Sequence, residues 1–168
     1  MPDREPPQVI PFDSERAHPR EVDPAELVGK KMKAIYHVNS YDDLPSSVGI
    51  KFRDGSTYHV RMSAHWGCGG VDHEIYEDEF EGKQITECAL LKCADTEYFD
   101  GSRNENATHI GLGIKFEGSD EWQIIHASYE EWDEDHEELC LLSFYDVFLV
   151  KMSGSGRKSG RGRGRGRR

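Results

Sequence analysis

No stretch of this 168-residue chain approaches the ~20 consecutive apolar residues that a membrane helix requires, so no helical span is expected. Apolar residues are scarce, 36 % beside 32 % charged, which leaves part of the chain with no core to join. The opening MPDREPPQVIPFD lacks an apolar segment behind a basic start, so a secretory signal is not expected. The expected location is therefore intracellular: cytoplasmic, or nuclear in a eukaryotic cell. Cysteine is limited to Cys68, Cys88, Cys93 and Cys140, and in a reducing compartment these are not expected to form a disulfide framework. The chain also lacks a Gly-x-Ser-x-Gly nucleophile elbow, a Gly-x-x-x-x-Gly-Lys-Ser/Thr loop and the ligand spacing of an EF-hand. With these signals missing, nothing points to an enzyme, and no cofactor is expected.

What is present divides into three parts. Six of the seven prolines fall within residues 1–26, and proline removes backbone donors and favours extended chain. This segment is expected to be a disordered or loosely attached arm, with Val9, Ile10 and Phe12 able to dock as an extended clip. Residues 27–152 are expected to form an all-β domain. Residues 153–168, SGSGRKSGRGRGRGRR, offer only glycine, serine and cations, so a disordered basic tail is expected. The net charge of −11 conceals this division: the tail carries seven cations and no acid, and the rest keeps 14 basic against 32 acidic residues, a charge of −18.

Within 27–152 the dominant period is two. Val48, Ile50 and Phe52 alternate with Lys51 and Arg53; Asp54-Gly55 follows as a hairpin dipeptide; Tyr58, Val60 and Met62 then resume the alternation. The pattern recurs. GIKFRDGSTYHVRMSA (49–64) aligns with GIKFEGSDEWQIIHAS (113–128), and GKKMKAIYHVN (29–39) with GKQITECALLKCA (82–94). An internal duplication of about 29–64 and 82–128 follows, the second copy carrying an 11-residue longer connection that reads as a loop, DTEYFDGSRNENATH. The expected fold is mainly β: two related three-stranded units plus a closing strand from LCLLSFYDVFLVKM (139–152), forming a small barrel or sandwich with disordered tails.

Three groups of residues could carry function. The first is the tail, Arg157, Lys158, Arg161, Arg163, Arg165, Arg167 and Arg168. It resembles in composition the arginine-glycine tails of RNA-associated proteins, although no aromatics interleave. Guanidinium groups pair with phosphate, so nonspecific contact with RNA or DNA backbone is expected. The second is the pair of acidic segments 72–81 and 130–138, read as loops. Glu77, Asp78 and Glu79 with Trp66, and Asp133, Glu134 and Asp135 with Trp132, would form a face for a basic partner protein. The third and weakest is a metal site from His65, Cys68 and His73. Cys88 and Cys93 lie an odd number of residues apart on one expected strand, face opposite sides, and so cannot share an ion. Buried thiols and loop histidines explain these residues more simply. The leading expectation is a non-enzymatic accessory binder working through its tail. An acidic interaction or inhibitor-type module is the alternative, and a metal-binding protein ranks last.

Overall fold

A computed structural model describes residues 6–38, 46–63 and 69–153. Three antiparallel strands, β2 (Met32–Val38), β3 (Ser47–Phe52) and β4 (Thr57–Met62), form a meander, and β10 (Val147–Lys151) completes a sheet of order β10-β4-β3-β2. The turn after β3 is the Asp54-Gly55 dipeptide, with Gly55 at φ 87°. A second meander consists of β6 (Ile85–Phe99), β7 (Ser102–Phe116) and β8 (Gln123–Asp133). It is flanked by β1 (Gln8–Ile10) on β6 and β5 (Gly70–His73) on β8. The last strand of this sheet, β9 (Glu138–Tyr145), pairs with β8 and also with the far end of β6, curling the sheet into a partial ring. The continuous apolar run at 139–152 is thus two strands that part at Asp146 and enter different sheets.

The core lies between the sheets. Ile50, Phe52, Tyr58 and Val60 from one meet Ile85, Leu112, Ile114, Phe116 and Ile125 from the other, all essentially fully buried. The architecture is a β-sandwich with one sheet partly closed on itself.

The two meanders match residue for residue over their first two strands. Met32, Ala34 and Ile35 face Phe52, Lys51 and Ile50, with a register shift after Met32. Ile85, Glu87 and Cys88 face Phe116, Lys115 and Ile114, with the same shift after Ile85. Where the units meet, the hydrogen bonds are reciprocal. Gly29 N donates to Ile85 O and Gly82 N to Met32 O, both at 2.8 Å. Met32 N donates to Lys83 O at 3.3 Å, and Ile85 N to Lys30 O at 2.9 Å. Gly29 and Gly82 both have positive φ, a conformation other residues adopt only with strain. The units are thus related by an approximate twofold axis near the Lys31–Gln84 bridge. The third strands differ by one residue, since Ile50 faces Tyr58 but Ile114 faces Gln123, and the second turn is one residue longer.

One sequence expectation needs correction. Residues 95–109 are not a loop: they extend β6 and β7 into a long hairpin that turns at Asp100-Gly101, with φ of 43° and 81°. Two consecutive positive φ values match a two-residue hairpin turn, and backbone pairing holds this arm although its side chains stay largely in water. The N-terminal arm is attached from Gln8 onward, with Val9 and Ile10 docked as an extended clip. Its β1 adds to the edge of β6, and Glu21 and Val22 lie along β10, with Val22 N donating to Leu149 O at 2.9 Å. A short 3-10 helix, Pro24–Leu27, follows, capped by Asp23, and buries Leu27 completely. Extended, proline-rich chain suits an edge position, where only one side of the backbone needs partners. No helix among the described residues is long and apolar enough to cross a membrane.

Candidate functional site

The two acidic segments lie at opposite ends of β8. The first begins within β5, whose Asp72 and His73 face His126 and Ile125 near the start of β8. It forms the short helix α1 (Glu77–Phe80) rather than a loop, because Phe80 inserts into the core against Phe116, ring centroids 4.6 Å apart. Glu77 is engaged in the fold: its Oε1 accepts a hydrogen bond from Ile35 N at 2.9 Å, tying α1 to β2. Asp78 and Glu79 face solvent.

The second segment begins at Glu130, five residues beyond Ile125 along β8, roughly 17 Å at ~3.3 Å per residue. It too is mostly not a loop. Trp132 and Asp133 end β8, residues 134–137 turn, and Glu138 opens β9. Asp133 organises the turn: its Oδ1 accepts from Asp135 N at 3.0 Å and its Oδ2 meets His136 Nδ1 at 2.8 Å. Because β9 pairs with both neighbours, Leu141 lies between Glu131 on one side and Phe99 on the other. This places the tip of the β6–β7 hairpin beside the acidic end of β8. Trp132 is 59 % and Phe99 67 % exposed, among a rim that includes Glu130, Glu131, Glu134 and Asp135. Phe99 was not legible as part of this surface, since only the β6–β9 pairing brings it there.

Trp66, His65, Cys68 and the seven tail cations, Arg157 to Arg168, lie outside the described residues. Of the metal candidates His73 remains. Its Nδ1 accepts from Ile75 N at 3.0 Å, its ring stacks on His37 at 5.0 Å, and burial followed by the neighbouring His37 lowers its pKa. Among the described residues no three His, Cys, Asp or Glu side chains are grouped to hold an ion. Cys88 and Cys93 do face opposite sides of β6. Burial raises both thiol pKa values, with Asp23 adding for Cys88 and Asp95 for Cys93.

Two further features were hidden in the sequence. His109, only 4 % exposed, meets Asp95 Oδ2 through Nε2 at 2.6 Å and stacks on Phe144 at 4.6 Å, while its Nδ1 has no partner among the described residues. The pair sits in the stretch that reads as a polar loop, so nothing marked it as buried. The other is a cleft beneath the N-terminal segment, assembled from strands of both sheets, which no local pattern announces.

Compared with protein-family models, with curated proteins and with solved structures, the chain has no significant match to any of them.

Proposed function

We propose that the protein is a non-enzymatic binding module that docks a basic partner protein on the acidic end of its ring-like sheet. The carrying observation is that β9 sets two exposed aromatics, Phe99 and Trp132, amid a rim of carboxylates. Aromatic anchors supply binding energy and the surrounding charge steers encounter, a division common at protein interfaces. A titration of full-length protein with a fluorescent Lys/Arg-rich peptide tests this. Phe99→Ala with Trp132→Ala is expected to weaken binding about tenfold or more, and Glu134→Gln with Asp135→Asn to weaken it mainly at low salt. Unchanged binding by the aromatic pair would reduce the surface to a solvated acidic rim.

The tail supports a second reading: contact with RNA or DNA backbone. Its seven cations are uninterrupted by any acid, and glycine spacing lets the arginines act as independent charges. Seven phosphate contacts on single-stranded RNA predict a log K against log salt slope near −5, at ~0.7 per contact. Deleting 157–168 is expected to abolish binding, since the remaining chain at −18 repels phosphate. Binding unaffected by that deletion would remove the tail from the account.

A further inference from the structure

The cleft has a volume of ≈ 1160 Å³ and lies where the N-terminal segment crosses from the edge of one sheet to the edge of the other. Ile10 and Phe12 from that segment, Leu90 and Ile110 from the ring-like sheet, and Met62 and Phe148 from the other sheet give it a mainly apolar wall. Concave, apolar sites with a few convergent polar groups are where small ligands bind.

The charged groups on this wall are unequally satisfied. Asp13 accepts from Glu15 N at 3.0 Å and faces Arg16 at 3.7 Å. Glu21 accepts from His18 N at 3.0 Å, and Asp146 from Ile110 N at 2.8 Å. Arg61 is the exception. It is half-buried on β4, its Nη2 approaches only the Met152 sulfur at 3.8 Å, and among the described residues it forms no ion pair with a carboxylate. A partly desolvated guanidinium that meets no carboxylate among the described residues has donors to spare, and a carboxylate matches their planar fork. Beside it lies His59, whose pKa is lowered by burial and then by Arg61.

We propose that this cleft binds a small amphipathic organic anion, its carboxylate on Arg61 and its apolar body along Ile10, Leu90, Ile110 and Phe148. The site is separate from the acidic end of the ring-like sheet, so the two readings fail independently.

Isothermal titration of full-length protein with decanoate, decylammonium and decanol tests the assignment. Decanoate is expected to bind saturably at one site, with the amine and the alcohol about tenfold or more weaker. Arg61→Gln should lower decanoate affinity about tenfold or more without changing the melting temperature, and Ala17→Trp, which fills the cleft, should abolish binding. Equal affinity for the amine, unchanged affinity in Arg61→Gln, or no saturable binding would overturn the proposal. A dimer in sedimentation that Ala17→Trp dissociates would overturn it in favour of a second copy of the chain.

Discussion

The tetrapeptide shared by the two units contains a glycine under a larger side chain in both, but the two lids differ in their freedom to move. A Cβ added at Gly113 would stand 2.3 Å from Leu91 Cδ1, 2.9 Å from Leu91 Cγ and 2.8 Å from Trp122 Cε3. Leu91 is completely buried and has nowhere to go. A Cβ at Gly49 would meet the Tyr36 ring at 2.4 Å and its hydroxyl at 2.8 Å, but Tyr36 is 39 % exposed and can swing outward. Neither glycine has positive φ, so the cost is steric and not one of backbone strain. Overpacking an immobile core costs ~1–3 kcal/mol, while replacing glycine by alanine gains ~0.4–1 kcal/mol through the unfolded chain. Gly113→Ala should therefore destabilise by about 2 kcal/mol, and Gly49→Ala by less than about 1 kcal/mol, net of that gain. Urea unfolding followed by tryptophan fluorescence measures both, as a lowered midpoint at unchanged slope. A cycle with Leu91→Ala should show positive coupling with Gly113→Ala, because the smaller side chain leaves room for the new methyl. Equal costs at the two glycines, or no coupling to Leu91, would refute the steric argument.

Two further outcomes are expected. Tyr58 is buried with its hydroxyl 3.2 Å from Glu26 Oε2, and burial, followed by that carboxylate, pushes its pKa up to about 12. A raised pKa means that its contribution to stability is intact below the unfolded value of ~10 and is lost as pH rises from there through about 12. Tyr58→Phe should flatten the alkaline side of the stability profile measured by urea unfolding, and an unchanged profile would reject the assignment. In thiol labelling at neutral pH, buried Cys88 and Cys93 should react only on unfolding, whereas half-exposed Cys140 should react in the native state. Cys140→Ser should remove one fast-reacting thiol and Cys88→Ser none; the reverse would place the wrong residues in the core.

How much of this was legible depended on what each residue buries. Val48, Ile50 and Phe52 alternate with polar neighbours because one face packs on a core and the other meets water, so period two reported both the strand and its inward face. The same logic carried Ile114 and Phe116, and with them the relation between the units. It failed at 97–106, where the hairpin arm buries little on either face and the sequence shows no alternation. There strand structure rests on pairing alone, and Asp100-Gly101 was the one local sign of it. It failed again at Gln8–Ile10 and at Glu21–Val22, whose partners lie far away in sequence. The acidic residues of 130–138 were recognised as a group, but their neighbours were not, because Phe99 and Arg61 gain their surroundings only from nonlocal strand pairing.

The differences between the two units fall where the functional proposals fall. Near the twofold the paired hydrogen bonds, the shared register shift and the positive-φ glycines are common to both. Away from it, the second unit spends its 11 extra residues on the β6–β7 arm, and only that arm is long enough for β9 to pair with Tyr98 and Phe99. The first unit has no such arm among the described residues, and its sheet stays open, with β10 at one edge lying against Glu21 and Val22. The ring-like sheet thus gains an acidic tip with two exposed aromatics, while the open sheet leaves room beside β4 and β10 for the cleft and Arg61. Substitutions near the twofold should act on stability, and those at the far ends on binding, because the shared frame carries the packing and the divergent ends carry the unpaired surface.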